Sequence, residues 1–231
     1  MIGCIVTTHN RPQALERSLP QITALGAPVL VVDDGSNSDA VRANAEICVK
    51  NGADQLWIPN NRGLATALNL GVSYWLADRS IKSISYFQDD CDAHPQLLEF
   101  MVKLQKYSPI LTGHDARAHK SCGNATLDGI GILYKETCAG VHLFCSAEFW
   151  CGLLPFPTNE LGTPKRIPGR AGRGLGSDCD WWVCRDAPRS SKARALQVIV
   201  VPNLVRTFNW QAEDSCWGNS QPWGEEPPLR A

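Results

Sequence analysis

The sequence predicts an α/β fold: a mostly parallel, doubly wound sheet with helices on both faces, fused to a smaller second half. Two observations carry this expectation. In the first half, short β-branched runs alternate with stretches of helical apolar spacing, the pattern of right-handed βαβ units. One of these runs, PVLVV, is apolar throughout rather than at every second position, as in a strand buried on both faces. With 231 residues, 44% of them hydrophobic and 19% charged, the chain is long enough to bury such a sheet in one domain.

The first strand is expected in IGCIVTT, which ends at HNRP, where Asn10 can cap a helix and Pro12 can fill its first turn. Leu15, Leu19 and Ile22 keep helical spacing, and Pro20 is expected to kink or shorten that helix. PVLVVDDGS reads as the second strand, stopped by an acidic Gly-Ser turn, and SDAVRANAEICVKNG as the second helix. DQLWIP gives a third strand, and RGLATALNLGVSYWLADR a third helix with Leu64, Leu68, Val72 and Trp75 on one face. IKSISYF is the fourth strand and delivers QDDCD at its carboxyl end, just before Pro95, which reads as a helix start.

Composition narrows the function classes. A formal net charge of −1 gives no global bias toward nucleic acid or membrane. The ten cysteines are scattered, with no C-x-x-C pair, so no zinc ribbon is expected; most read as small buried hydrophobes. No apolar run approaches the roughly 18 residues of a membrane span, and MIGCIVTTHN lacks a basic leader. A cytoplasmic protein is expected, and NAT at 124–126 is then a chance sequon. Neither a G-x-G-x-x-G turn after the first strand nor a Walker A loop is present, which disfavours dinucleotide and P-loop chemistry.

Ligands of open α/β sheets bind beyond the carboxyl ends of the strands. His9, Asn10 and Arg11 follow strand one, Asp33 and Asp34 strand two, and Asp89, Asp90 and Asp92 strand four, so all are expected on one edge. Three close carboxylates raise one another's pKa and destabilise a loop unless a cation or hydrogen-bond donors compensate. A solvated Asp at a helix start gains about 0.3–1 kcal/mol, which accounts for one acid and not for three. A hard, oxygen-ligated Mg²⁺ or Mn²⁺ suits the cluster.

Four stretches, IVTTHNRPQALERSLPQI, VLVVDDGS, NNRGLATALNLGV and YFQDDCDAHPQLLEFM, together resemble the nucleotide-sugar-binding half of family two glycosyltransferases, which have the GT-A (Rossmann-like) fold. The resemblance covers residues 1–104 well and runs on more loosely to about residue 215. It implies a single GT-A domain over 1–231, with 1–104 as the nucleotide-sugar-binding half and 105–231 as the acceptor-binding and catalytic-base half. It further implies Thr7, His9 and Arg11 near the base or phosphates, Asp33 or Asp34 on the uracil or ribose, and Asn61, Arg62 and Gly63 bordering the nucleotide. QDDCD stands where the family has its DXD motif, but its spelling is closer to the E-D-D-x-E variant of animal N-acetylglucosaminyltransferases. That variant assigns the divalent ion, Mn²⁺ or Mg²⁺, to Asp90; Asp92 is the second choice, with Asp89 as a ribose or supporting partner. Related small transferases place a His near the VRTFNW position to complete the metal shell. Here Thr207 stands there, and His114, His119 and His142 are the alternatives.

In the second half, two or three short strands are expected, at 130–134 and 141–145, followed by a long loop in PFPTNELGTPKRIPGRAGRGLG that would close over substrate. The loop ends in GSDCDWWV, where the resemblance makes Asp178 the catalytic base and Asp180 the alternative; a helix-capping role for Asp178 is the competing reading. One base and attack opposite the diphosphate give inversion at the anomeric carbon. Basic residues from Lys165 to Arg194 and a crowd of tryptophans in the same half suit a diphosphate, a phosphorylated acceptor or nucleic-acid bases.

The expected donor is a nucleoside-diphosphate sugar, a UDP-sugar first, and the acceptor a hydroxyl on glycan, protein or DNA. A hydroxymethylated DNA base, of the kind phage enzymes modify in the host cytoplasm, is included. Two alternatives stand beside this reading. One is a binding protein that keeps the nucleotide fold without turnover. The other is a sugar-phosphate nucleotidyltransferase, which needs a Gly- and Arg-rich loop that TTHNRP does not supply.

Overall fold

Strand β1 (Ile2–Thr8) runs between two parallel neighbours, β2 (Val29–Asp34) and β4 (Ser83–Gln88), and β3 (Asp54–Ile58) pairs parallel with the far side of β2. This arrangement is seen in a computed structural model of the chain, in which residues 1–115, 119, 121–138, 140–156, 183 and 198–208 are described. The crossovers are helices α1 (Pro12–Thr23), α2 (Ser38–Asn51) and α3 (Leu64–Ala77). Successive residues of β1 feed opposite faces, because side chains alternate along a strand. Cys4 and Val6 pack with Leu15, Leu19 and Ile22 of α1 and Ile47 and Cys48 of α2. Ile5 packs with Leu68, Val72 and Trp75 of α3. Helices therefore cover both faces, and the continuous apolar runs of β1 and β2 have that burial as their cause.

The sheet continues into the second half. Its nine strands take the order β3-β2-β1-β4-β9-β6-β10-β8-β7, with β6 (Leu111–Thr112), β7 (Ser121–Leu127), β8 (Ile130–Lys135), β9 (His142–Ser146) and β10 (Val198–Val200). Only β8 and β9 run against the rest. Helix α4 (Leu97–Leu104) packs with the α1 face and α5 (Ala147–Leu153) with the α3 face. A separate two-stranded ribbon pairs β5 (Cys91–Ala93), inside the acidic motif, with β11 (Val205–Thr207). The expected mostly parallel α/β sheet is present. The long loop after residue 156, Asp178, Asp180, the basic stretch and the tryptophans from Trp181 onward lie outside the described residues.

Local signals explain the helix ends. Asn37 caps α2 by accepting from the Ala40 N–H at 3.0 Å, and Gly52 closes it in the left-handed region at φ 66°. The expected shortening of α1 at Pro20 does not occur: the helix continues through it to Thr23. Pro20 and Glu16 both lie on the exposed side, where water satisfies the carbonyl that loses its partner. The expected face of α3 is buried at Leu68, Val72 and Trp75, and the Trp75 indole N–H donates to the Cys4 carbonyl at 3.0 Å.

The junction between the parallel and mixed parts of the sheet is held by His142. It is fully buried, its Nδ1 accepts from the Gly113 N–H at 3.0 Å, and its Nε2 lies 3.0 Å from Ser85 Oγ. Since Nδ1 accepts, the ring proton sits on Nε2 and is donated to the serine. Burial, with His114 as a second cause, lowers the His142 pKa to about 3. An unfolded histidine titrates near 6.5, so between these values the unfolded chain binds the proton and the folded one does not. This contribution is complete above about pH 6.5 and is lost progressively as pH falls. Urea unfolding at pH 7, 6 and 5 should show wild-type stability falling with acid, by at most about 1.4 kcal/mol per unit from this group. The slope should be shallower in His142→Gln, and equal slopes would contradict the assignment.

Candidate functional site

The four loops that leave the carboxyl ends of β1 to β4 are laced together by side chains. After β1, Asn10 adopts a left-handed φ of 56°; its N–H donates to Ser36 Oγ at 2.7 Å and its Oδ1 accepts from the Asn37 N–H at 2.8 Å. His9 Nδ1 lies 2.8 Å from the Asp34 carbonyl and its Nε2 is 3.0 Å from Asn10 Nδ2. The carbonyl can only accept, so the ring proton is on Nδ1 and Nε2 accepts from the amide. These bonds join the β1 and β2 loops.

Asp34 then joins the β2 loop to the turn before α3. Its Oδ1 accepts from the Arg62 N–H at 2.9 Å and its Oδ2 from the Gly63 N–H at 2.8 Å. Asn61 Oδ1 also reaches the Gly63 N–H, at 3.1 Å. Asp33 beside it is fully buried and accepts from the Ser36 N–H at 2.9 Å and from Asn44 Nδ2 at 2.8 Å. Its carboxylate is committed to the turn before α2 and to the middle of that helix, so of the acidic pair Asp34 is the one that borders the Asn61 turn. The two loops touch at Gly35, whose φ is +73° and where a Cβ would fall 2.1 Å from the Asn61 nitrogen.

The fourth loop carries the acids. Asp89 is fully buried; its Oδ2 accepts from Thr8 Oγ1 at 2.6 Å and its Oδ1 from Arg11 Nη2. Arg11 Nη1 reaches Asp90 Oδ2 at 3.1 Å, so one guanidinium spans both carboxylates. Burial pushes the Asp89 carboxyl up, opposed by Arg11 and assisted by the Asp90 charge. Thr7 is buried and shares a 3.2 Å hydrogen bond with the Tyr86 hydroxyl. Asp92 faces elsewhere: its oxygens accept from Arg17 Nη2 at 2.7 Å and Gln21 Nε2 at 2.8 Å. Arg17 also stacks over the Phe208 ring, 4.0 Å from its centroid. The structure thus brings His9, Arg11, Asp34, Asn61, Arg62, Gly63, Asp89 and Asp90 to one edge, buries Asp33 in the fold and ties Asp92 to Arg17 and Gln21 of α1.

One atom of the cluster is left over. Asp90 Oδ1 is buried and has no hydrogen-bond partner, whereas both oxygens of Asp89 and of Asp92 are taken. A buried carboxylate oxygen without a donor costs free energy, and a cation would satisfy it. Among the described residues no three His, Cys, Asp or Glu side chains converge as a ready-made cage. That donor set still fits Mg²⁺ or Mn²⁺, which take one or two carboxylates and complete their shell with phosphate oxygens and water. Cys91, between the acids, is no ligand: burial and the three neighbouring aspartates push its thiol far up.

The three histidines considered for the metal shell have different fates. His142 uses both nitrogens internally, and His119 Nδ1 lies 2.7 Å from Thr137 Oγ1. His114 donates Nδ1–H to the Val205 carbonyl at 3.3 Å, which leaves Nε2 as the acceptor nitrogen. Burial lowers its pKa, and Asp115 and Asp90 are close enough to oppose that shift. Thr207 pairs with Cys91 across the β5–β11 ribbon, and the Phe208 N–H donates to the Asp90 carbonyl at 3.1 Å. Sequence reasoning missed Thr8, Ser36 and Arg17. Thr8 had a signal, since it closes β1 on the ligand edge; Arg17 had none, because its partner is 75 residues away.

Fold and edge together define an α/β protein with a cluster of interlocked loops beyond its parallel strands, around the Asp89–Asp90 carboxylate pair. The profile of glycosyl transferase family 2 matches residues 4–120, just over half of the 231 residues. The chain belongs to that family. Among solved structures it is similar to GalNAc-T7 with UDP, GalNAc and Mn²⁺, at 13% identity and a TM-score of 0.57 over 94% of this chain and 46% of that one. It is similar as well to glucosyl-3-phosphoglycerate synthase from Mycobacterium tuberculosis with phosphoglyceric acid, at 14% identity and a TM-score of 0.57 over 93% and 74%. A third is S. aureus TarS 1-349 with UDP-GlcNAc, at 10% identity and a TM-score of 0.56 over 93% and 61%. These likenesses establish the GT-A fold, and the chain spans less than two thirds of the length of TarS 1-349 and GalNAc-T7. No curated protein sequence matches it.

The loop contact at Gly35 is open to test. Gly129, at φ +79° with nothing within 4 Å of a built Cβ, isolates the backbone strain alone. Gly129→Ala should cost about 1 kcal/mol and Gly35→Ala more, about 2–4 kcal/mol, by chemical denaturation. Equal losses would mean that the β2 loop does not press on the Asn61 turn.

Proposed function

We propose that the chain is an inverting, divalent-metal-dependent glycosyltransferase that uses a nucleoside-diphosphate sugar, a UDP-sugar first, as donor. The observation that carries this reading is the unpartnered buried Asp90 Oδ1, held beside Arg11 at the carboxyl end of β4. The ligands of similar structures, UDP, GalNAc and Mn²⁺ in GalNAc-T7 and UDP-GlcNAc in TarS, support it.

A divalent ion on Asp90 would supply charge neutralisation for the departing diphosphate. Arg11 adds a fixed positive charge beside it, and its planar fork suits a phosphate oxygen pair as well as a carboxylate. Asp34 holds the Asn61, Arg62 and Gly63 turn in place through backbone N–H groups, so that turn, with Thr7 and His9, forms the wall for the nucleoside. Asp89 serves that wall by anchoring Arg11 and Thr8. In this reading Asp178, or Asp180 instead, takes the proton of the acceptor hydroxyl as it attacks the anomeric carbon; both lie outside the described residues.

A nucleotidyltransferase is the second reading. The chain is similar to 4-diphosphocytidyl-2C-methyl-D-erythritol synthase from Anaerococcus prevotii, at 10% identity and a TM-score of 0.56 over 92% of both chains. That likeness is one of fold, whereas the family match favours sugar transfer. Products separate the two: a transferase releases UDP from a UDP-sugar, and a nucleotidyltransferase releases pyrophosphate from a nucleoside triphosphate. Glycans, proteins and hydroxymethylated DNA form the acceptor panel. Among the described residues no helix is long and apolar enough to cross a membrane.

Calorimetric titration of UDP with Mn²⁺ present should give binding that weakens at least about tenfold in Asp90→Ala, the loss expected for a charge-assisted ligand. Unchanged binding would sink the assignment. Asp178→Asn should keep UDP binding and lose about 10²–10⁴-fold in transfer rate; an active variant would move the base to Asp180.

A further inference from the structure

We propose that Arg11 makes ion binding and donor binding depend on one another, by acting as the resident counter-cation of the Asp89–Asp90 pair. The proposal rests on the reading of Asp90 as the ion's ligand. Arg11 stands at the N-terminal boundary of α1 and makes no side-chain cap there. Its guanidinium instead crosses to the β4 loop, with Nη2 on Asp89 Oδ1 and Nη1 on Asp90 Oδ2 at 3.1 Å. Asp89 has no spare oxygen, because Oδ2 accepts from Thr8 at 2.6 Å. An ion arriving at Asp90 Oδ1 therefore shares a single carboxylate with a guanidinium already bound to it. Two cations then face one another across a site whose second carboxylate is spent.

A diphosphate changes that balance. It brings negative charge to the ion and offers Arg11 an anionic partner with a pair of oxygens that the guanidinium fork can bind as it binds a carboxylate. The Arg11 side chain is 23% exposed, so a ligand at the edge can reach it. Ion alone should bind weakly, ion with diphosphate strongly, and linkage makes the effect reciprocal. Without Arg11 the two carboxylates lose the one cation that the described residues place on both of them, and the ion takes its place. Arg11 is thus a coupling residue, in addition to any contact it makes with the phosphates.

Free Mn²⁺ measured by its paramagnetic resonance, with and without UDP and corrected for Mn²⁺–UDP in protein-free blanks, tests this. In the wild type UDP should tighten Mn²⁺ binding at least about tenfold, within the usual range of coupling factors. Arg11→Met should bind Mn²⁺ alone about fivefold more tightly than wild type, with the UDP effect reduced to below about threefold. Arg11→Lys keeps the charge but not the fork and should fall between the two, which provides the readout if the methionine variant does not fold. Mn²⁺-alone affinity no tighter than wild type in these variants, or an undiminished UDP effect, overturns the proposal. Failure of the underlying reading looks different: Mn²⁺ binding absent in the wild type with and without UDP, or retained in Asp90→Ala, overturns both.

Discussion

The site depends on one guanidinium. Asp89 and Asp90 are adjacent carboxylates at the end of a central strand, the first fully buried, and Arg11 is the cation that spans them. Like charges in such a position are tolerated only when a counter-charge and hydrogen bonds compensate. Removing one member of a buried ion pair typically costs about 3–5 kcal/mol, because the other is left uncompensated. The pairing also decides geometry: it fixes the β1 loop against the β4 loop, although 78 and 79 residues separate the partners.

From that anchor the rest of the edge follows by short steps. The β1 loop, held by Arg11, is tied to the β2 loop through His9, Asn10, Ser36 and Asn37. The β2 loop is tied to the turn before α3 by both oxygens of Asp34. Loops on a rigid sheet are where function usually sits, and here each is held by its neighbour. The β5–β11 ribbon extends the same logic into the second half, since Phe208 N–H holds the Asp90 carbonyl and Val205 holds His114.

The parts of this arrangement that were legible in the sequence are those with a local cause. β1 and β2 were readable as β-branched runs, apolar throughout in VLVV, and α2 because its helical stretch ends at Gly52. β5 was hidden because Cys91, Asp92 and Ala93 form a strand only by pairing with β11, more than a hundred residues on. β7, spelled SCGNATL, carries Gly and Asn that disfavour strands, and its pairing with β8 overrides that preference. Pro20 misled because propensity does not report which side of a helix faces water.

In the site, residue type was legible in the acids themselves, whereas the choice of Asp90 among them came from the family resemblance and not from spacing. The acids after β2 and β4 marked the edge, but which acid faces inward depends on partners distant in the chain. Asp33 goes to Asn44, and Asp92 to Arg17 and Gln21. Asp90 is singled out by the oxygen that none of these partners reaches, a fact that spacing cannot reveal.

Anomalous scattering from Mn²⁺ in crystals soaked with UDP and Mn²⁺ tests the central claim most directly. The account predicts a single strong peak at Asp90 Oδ1, with the diphosphate between it and Arg11. A peak at Asp92, or UDP bound on this edge with no peak beside Asp90, would contradict it.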